Sequence, residues 1–265
     1  VPDRRRRRSS RHIDRLWRYR CDGLRRQPEH RTPLASNEVR MPRPKPVPTE
    51  GRCRSSHSGR AGIATITDGV FTDNAANRTA SIDIDAAWSV DVERSSFFSD
   101  TGWRGSVYVG EAAVAVRIEK TTFANGTLGN APLYVEGTDV ALTHVTVASS
   151  SYYGLWLVSG SGVMLLNTVF ANKGASNEGD ANQAGGALTS LGGNVFDTEV
   201  PGLALTTNDV APAAGRNTTI DTGIGSRSTD AATGMLYYEP TGSSPSVDNA
   251  VASAVQDDQF GAERP

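Results

Sequence analysis

The sequence predicts an all-β protein: a right-handed parallel β-helix (solenoid) of about six coils, preceded by a disordered basic tail. A hydrophobic pattern that recurs every 23–26 residues predicts the solenoid, together with short runs in which polar and apolar residues alternate. The charge distribution separates the tail, because residues 1–60 carry 18 Lys/Arg and 6 Asp/Glu, whereas residues 61–265 carry 9 and 23. The formal net charge of −2 therefore averages a segment of net +12 and a segment of net −14.

The tail, residues 1–60, is rich in arginine and proline. Residues 4–8 are all arginine, and prolines alternate with other residues over positions 41–48. Alternate prolines prevent helix formation and few aliphatic residues are available to bury, so we expect disorder. An arginine run also suggests binding to nucleic acid or to an anionic membrane surface. We do not expect nucleic-acid binding, because neither interleaved aromatic residues nor a recognisable binding fold accompanies the charge.

The coils are predicted over residues 61–197 from a recurring pair of anchor positions. In each unit an aliphatic residue is followed five positions later by an aromatic or aliphatic residue. The pairs are Ile66/Phe71, Val92/Phe97, Ile118/Phe123, Leu142/Val147, Leu165/Phe170 and Leu191/Phe196. Because one unit cannot bury its apolar face alone, we expect each unit to stack on the next and to align its anchors in columns.

A second alternating run lies between successive anchor pairs. It covers residues 81–84, 106–109, 132–135 and 154–157, and alternation of this kind indicates strands with one buried face. No sustained helical stripe appears in residues 61–265. Residues 198–265 are therefore predicted to be an irregular closing segment of the same domain.

The composition of residues 61–265 excludes several kinds of site. This part contains no Cys and a single His, His144, so we expect no disulfide framework, thiolate site or multi-histidine metal centre. No stretch approaches 18 consecutive apolar residues, so no membrane-spanning helix is expected. Motifs for calcium or for a phosphate-binding loop are also missing, and we predict neither a metal nor a cofactor.

Four sequence segments resemble one protein family. Residues 116–125, Val-Arg-Ile-Glu-Lys-Thr-Thr-Phe-Ala-Asn, resemble the coil consensus of bacterial right-handed parallel β-helix repeat proteins of the pectate-lyase-like superfamily. The Gly-Gly-Asn step in residues 191–196 is similar to the one that closes the repeat array in many of them. Ser-Pro-Ser-Val-Asp at 244–248 resembles their Ser-Pro-Ala-Ile-Asp motif, and residues 258–265 resemble their Asp-Gln-x-Gly-x-x-Arg-Pro ending.

This resemblance implies a secreted or cell-surface bacterial protein, in a group where most members have no established chemistry. The family's usual N-terminal cap has no counterpart in residues 1–60. We therefore expect an unpaired strand edge near residues 63–67.

One outward-facing column of the second strand carries aromatic residues. Tyr108, Tyr134 and Trp156 occupy equivalent positions on three successive coils, and Asp85 and Glu136 border them in the next outward column. Flat rings are platforms for sugar rings and carboxylates accept hydrogen bonds from sugar hydroxyls, so these five residues are the predicted ligand-binding set. The predicted partner is a polysaccharide or a cell-surface glycan. The alternative interpretation is an aromatic ladder that only stabilises the sheet.

No catalytic residue is assigned, but four carboxylates are candidates. Glu93 and Glu119 on adjacent coils would meet the separation of about 5–9 Å that glycoside hydrolysis needs, and so would Asp83 and Asp85 if the local turn re-aims one of them. A surface charge ladder is the favoured interpretation of the two glutamates. The predicted function is a structural or glycan-contacting role. The alternative is a carbohydrate-active enzyme, a glycoside hydrolase or polysaccharide lyase of β-helix type.

Overall fold

The computed structural model describes residues 62–85, 88–124, 126, 129, 131–172, 179–206, 208–212 and 219–253. The predicted tail and the ending at 258–265 lie outside the described residues. The described part is an all-β parallel solenoid of about five turns, which confirms the predicted fold class. None of its helices is long and apolar enough to cross a membrane.

Each turn contributes one strand to each of three parallel sheets. Sheet 1 contains β1 (Gly62–Thr67), β4 (Trp88–Glu93), β7 (Ala115–Glu119), β10 (Val140–Thr143), β13 (Gly162–Leu166) and β16 (Ala187–Ser190). Sheet 2 contains β2 (Val70–Thr72), β5 (Ser96–Phe98), β8 (Thr122–Ala124), β11 (Thr146–Ala148), β14 (Val169–Ala171) and β17 (Val195–Phe196). Sheet 3 contains β3 (Ile82–Ile84), β6 (Val107–Val109), β9 (Leu133–Val135), β12 (Leu155–Val158) and β15 (Ala181–Ala184). Among the described residues the sixth coil has no strand in sheet 3, which gives about five turns where the sequence predicts about six coils.

The strand register aligns the anchor residues in columns, as the repeat predicts. Phe71 pairs with Phe97, and Phe97 with Phe123, along sheet 2. Their rings stack face to face, with centroids 4.6 and 4.8 Å apart, which is the spacing of neighbouring strands. Phe170 and Phe196 stack in the same way at 5.4 Å.

The sixth anchor pair departs from the prediction at its first member. Ser190, not Leu191, pairs with Leu165, and Leu191 is half exposed. Ser190 faces inward because its hydroxyl donates to Asp209 Oδ2 at 2.5 Å and accepts from Asn194 Nδ2 at 2.8 Å. The hydrogen bonds that close the array therefore override the repeat at this position.

A turn after each sheet 1 strand uses left-handed backbone geometry. Such φ values are uncommon for side chains other than Gly, Asn, Asp and His, and are retained only where the surrounding structure imposes them. The stacked coils impose them here on five successive turns: Asp68 (56°), Arg94 (44°), Lys120 (49°), His144 (55°) and Asn167 (51°).

The last turn is covered by the closing segment. Phe196 N–H donates to Val210 O and Val210 N–H donates to Asn194 O, both at 2.8 Å, so the edge of β17 is paired. Val200 is buried over the core, and Leu203 packs beside it. At the other end β1 pairs with β4 on one side and has no strand on its other side among the described residues, and Ile63 is 74% exposed.

The closing segment is more regular than the sequence predicts. β18 (Ile224–Thr229) and β19 (Leu236–Pro240) form an antiparallel hairpin, and the short helix α1 (Pro245–Asp248) follows. The hairpin packs on a column of mostly small side chains on the outer face of sheet 2. This column consists of Phe98, Ala124, Ala148 and Ala171, and it is covered by Ile224, Leu236 and Tyr238.

A buried carboxyl pair ties the solenoid to the closing segment. Asp180 N–H donates to Thr198 Oγ1 at 2.8 Å, and Thr198 N–H donates to Asp180 Oδ2 at 2.9 Å. Asp180 and Asp197 are both inaccessible to solvent. Burial, followed by the hydrogen bond and the like charge of Asp197, raises the pKa of Asp180 well above its usual range.

Candidate functional site

The candidate site lies on the outer face of sheet 3, where the register aligns four side chains. Asp83 pairs with Tyr108, Tyr108 with Tyr134, and Tyr134 with Trp156, on strands β3, β6, β9 and β12. Apolar residues on either side of each position point into the core, because side chains alternate along a strand. The structure therefore brings the predicted aromatic residues together in one row.

The sequence predicts an open platform of three rings. In the structure, most of this row is covered. Tyr108 is only 2% exposed and Tyr134 only 8%, while Trp156 is partly buried. Side chains from the loop between β5 and β6 cover the tyrosines. These are Trp103, whose ring centroid lies 6.3 Å from that of Tyr134, and Arg104.

Arg104 is the main cover of the tyrosine rings. Its guanidinium carbon lies 4.3 Å from the Tyr108 ring centroid and 5.6 Å from that of Tyr134, both within the range of a cation–π interaction. Its Nη2 lies 3.5 Å from Glu136 Oε1. Nε and Nη1 are buried without a hydrogen-bond acceptor among the described residues. The ring faces and one carboxylate therefore stabilise this cation, and these contacts substitute for a full set of hydrogen bonds.

Glu136 connects the arginine to the tyrosine row. Its Oε2 accepts a hydrogen bond from the Tyr108 hydroxyl at 2.6 Å. Burial, followed by this hydrogen bond and the charge of Glu136, raises the pKa of Tyr108 to about 12. Burial and the charge of Glu136 also raise the pKa of Tyr134. Both tyrosines are therefore neutral donors near neutral pH.

Asp85 lies near the Tyr108 hydroxyl, beside Gly110. The strand position between Asp85 and Glu136 is Gly110, and a Cβ atom there would lie 2.8 Å from Asp85 Oδ1 and 3.2 Å from Tyr108 Oη. Glycine therefore lets the coils approach closely here, beside the Asp85 carboxylate and the Tyr108 phenol that donates to Glu136. The predicted pairing of Asp85 and Glu136 with the aromatic row agrees with this arrangement.

Asp83 lies exposed at the end of the row, on β3. Burial against the coil raises the pKa of this carboxyl, and the negative charge of Asp85 acts in the same direction. The charges of Arg78 and Arg104 oppose that shift. Two like charges thus lie close together beside the aromatic residues.

The exposed aromatic surface extends beyond the predicted row. Trp103 is 55% exposed and Tyr152 is 43% exposed, and both lie in loops that precede strands of sheet 3. The rings of Tyr134 and Trp156 are nearly parallel, with centroids 6.3 Å apart, and the Tyr153 ring meets Trp156 edge-on at 5.4 Å. We call the four residues Trp103, Tyr152, Tyr153 and Trp156 the aromatic corner, which lies beside the buried Tyr134.

Three members of the aromatic corner were missed by the sequence analysis because they lie in loops without alternation. A positional signal was present, since Trp103 and Tyr152 occur five and four residues before an outward aromatic residue. Trp103 also needs Gly129 on the next coil, where a Cβ atom would lie 2.9 Å from Trp103 Cδ1.

The second predicted carboxylate pair is part of a charge ladder. Glu93 and Glu119 lie opposite each other on β4 and β7, as expected. Glu93 Oε1, however, is 2.9 Å from Arg94 Nη1 and 2.8 Å from Lys120 Nζ. Asp68 extends the ladder by pairing with Arg94 at 2.8 Å. The side chain of Glu93 is therefore engaged in two ion pairs, and a surface charge ladder describes Glu93 and Glu119 better than a catalytic pair.

No metal cluster accompanies these carboxylates: in the described ranges, no group of three or more His, Cys, Asp or Glu side chains is arranged to hold an ion. Comparison with known proteins finds no matching family model, no similar curated protein and no similar solved structure.

Proposed function

We propose that this protein is a rigid, secreted or cell-surface β-solenoid that contacts a polysaccharide or cell-surface glycan through the aromatic corner. The observation that carries the proposal is the presence of exposed Trp103, exposed Tyr152 and partly buried Trp156 within three successive turns. Tryptophan and tyrosine present large apolar surfaces at low entropic cost, which suits contact with the apolar faces of sugar rings. The proposal assigns no catalytic step.

The buried part of the row supports this surface from below. Tyr108 and Tyr134 are packed under Trp103 and Arg104, so their ring faces are used inside the protein. They hold the loop that presents Trp103. Because turns of the solenoid repeat every ~4.8 Å, the exposed rings are arranged along the solenoid axis, and an extended glycan would bind parallel to that axis.

The proposal is tested by binding to a panel of soluble and insoluble polysaccharides. Trp103→Ala and Trp156→Ala are each expected to weaken binding about tenfold, because an aromatic contact contributes about 1–1.5 kcal/mol. Leu205→Ala is the matched control, since Leu205 is 49% exposed and lies in the closing segment. Unchanged binding in both tryptophan variants would reject the glycan-contacting role.

The extracellular location is part of the same proposal, and its support is the resemblance of the coil and closing motifs to exported proteins. Fractionation of cells that produce the chain, with detection by antibody, tests it. Recovery in the cytoplasmic fraction alone would reject it.

A carbohydrate-active enzyme is the second candidate, favoured by the carboxylates around Gly110. Asp85 and Glu136 lie on the coils before and after that of Tyr108, and the Tyr108 hydroxyl donates to Glu136, an arrangement that suits a pair of acid and base groups. If the bound glycan releases reducing ends, Asp85→Asn and Glu136→Gln should each abolish release, whereas Glu119→Gln should not. If no bound glycan releases reducing ends, the enzyme hypothesis is rejected and the non-catalytic role is retained.

A further inference from the structure

We infer that the glycan taken by the aromatic corner is cationic, a polymer of amino sugars whose amino groups are free. The inference rests on the proposed function and specifies the substrate class of the same surface. Three features of the described residues carry it: the cations that the surface already binds, the ring surface that continues beyond them, and the carboxylates at its end.

The aromatic row already binds two cations from its own chain. The guanidinium carbons of Arg104 and Arg78 lie 4.3 and 5.4 Å from the centroid of Tyr108. Arg104 also lies 5.9 Å from the Trp103 ring and reaches Glu136. Ring faces combined with a carboxylate are the chemistry that selects ammonium and guanidinium groups. The surface is therefore built for positive charge on its first two coils.

The same surface continues onto the fourth coil without such a cation. In the part of the chain that the structure describes, no Arg or Lys makes a cation–π contact with Trp156 or Tyr152. Trp156 is only partly buried, so an ammonium group on a sugar could approach its exposed surface. Tryptophan is the strongest of the aromatic side chains in this interaction.

The other end of the row presents negative charge. Asp83 and Asp85 are both exposed on the first coil, and the charge of Asp85 makes ionisation of Asp83 less favourable. Arg78 is the exposed cation beside them, because Arg104 is largely buried against Glu136. A bound ammonium group would relieve the repulsion between the two carboxylates. The net charge of −14 on residues 61–265 attracts a polycation and repels a uronate polymer.

The distance between these two ends requires a polymer. Asp83 and Trp156 lie on strands three positions apart in sheet 3, which corresponds to about 14 Å. A single amino sugar cannot reach both. Binding should therefore depend on chain length as well as on charge.

One polymer in two chemical forms tests the inference. Chito-oligosaccharides of equal length, fully N-acetylated or fully de-N-acetylated, have the same backbone and differ in charge. At low salt and a mildly acidic pH that protonates the amines, the deacetylated form should bind at least tenfold more tightly. The free monosaccharide should not bind measurably. Asp83→Asn and Asp85→Asn should each reduce the preference for the deacetylated form severalfold. Asp91 is an exposed carboxylate on sheet 1, and Asp91→Asn should preserve this preference.

The possible outcomes separate the inference from the function on which it rests. Equal binding of the two forms would overturn the inference while leaving a glycan-contacting role intact. If the deacetylated form still binds more tightly to the double variant Asp83→Asn/Asp85→Asn, the inference is also overturned. Binding would then follow the overall charge of the protein and not this surface. Failure of the aromatic corner variants to affect any glycan would reject the proposed function itself. Thermal unfolding of each variant confirms that the solenoid is intact.

Discussion

The inner and outer columns of sheet 3 come from the same strands but differ in how closely the turns repeat. Val107, Leu133 and Leu155 point inward and are completely buried, and each turn presents an aliphatic residue of similar size. The outward positions carry an Asp, two Tyr and one Trp, and loops cover them to different extents. The repeated inward residues specify the fold, whereas the varied outward residues create one local surface. We therefore expect substitutions in the inner column to affect stability more than substitutions in the outer column.

Loss of an inner ring should have the largest effect. Phe123→Ala removes a ring with no solvent exposure from the stack on Phe97, and we expect a loss of about 3–5 kcal/mol in the free energy of unfolding. Trp156→Ala on the outer row should cost about 1 kcal/mol, because its ring is only partly buried. Denaturant unfolding measures both. Equal losses would contradict the distinction between the two columns.

The loop that covers the outer row depends on Gly105. This residue has a φ of 95°, and a Cβ atom there would lie 2.1 Å from Ala131 O, so Gly105→Ala should cost about 3 kcal/mol. Gly234→Ala is the matched control, because Gly234 has a φ of 74° but no atom within 4 Å of its Cβ position. The control should lose only about 1 kcal/mol. Similar losses for the two variants would show that coil-to-coil contact does not position the loop.

The buried carboxyl pair should make the closing segment sensitive to pH. The pKa of Asp180 is higher in the folded protein than in the unfolded chain, so the folded state binds more protons between those two values. Stability is therefore highest below about pH 4 for this group and falls as pH rises toward the folded pKa, by up to about 1.4 kcal/mol per pH unit.

Asp180→Asn should remove this contribution and flatten the dependence of unfolding free energy on pH. Burial also raises the pKa of Asp100, so part of the pH dependence of the unfolding free energy should remain in the variant. Exposed Asp91→Asn is the control and should leave the profile unchanged. A variant profile identical to that of the parent protein would contradict the assigned role of Asp180.

The smallest effect concerns Tyr108. Tyr108→Phe removes the hydroxyl that donates to Glu136 and should cost about 1 kcal/mol in stability, with glycan binding changed by less than twofold. Absorbance during alkaline titration of the parent protein should show a tyrosine that ionises near pH 12, and this signal should disappear in the variant. Loss of glycan binding in Tyr108→Phe would show that the row itself, and not the corner above it, contacts the ligand.

The sequence alone predicts the inner columns well, because they depend on residue type and spacing. The paired positions of Phe71, Phe97 and Phe123 agree with the repeat. Polar hydrogen bonds at the end of the array are not periodic, which explains the incorrect anchor at Leu191. The hairpin was missed because its partner, a column of alanines, is recognisable as a surface to be covered only when the coils are stacked.

The candidate site was predictable in its strand residues and not in its loops. The alternation on β6, β9 and β12 correctly placed Tyr108, Tyr134 and Trp156 in one row. Their exposure depends on Trp103 and Arg104, whose positions follow from contacts across neighbouring coils and from Gly129. Such contacts join residues that are ~26 positions apart in sequence, so local patterns do not reveal them.

The central claim, that the aromatic corner contacts glycan, is tested most directly by oxidative footprinting with mass spectrometry. The protein is exposed to hydroxyl radicals with and without a saturating amount of a polysaccharide that binds in the panel. The account predicts that bound glycan protects Trp103, Tyr152 and Trp156 from oxidation, whereas oxidation of exposed Leu191 and Leu205 is unchanged. Oxidation of the three aromatic residues at the same rate in the bound and free protein would contradict it.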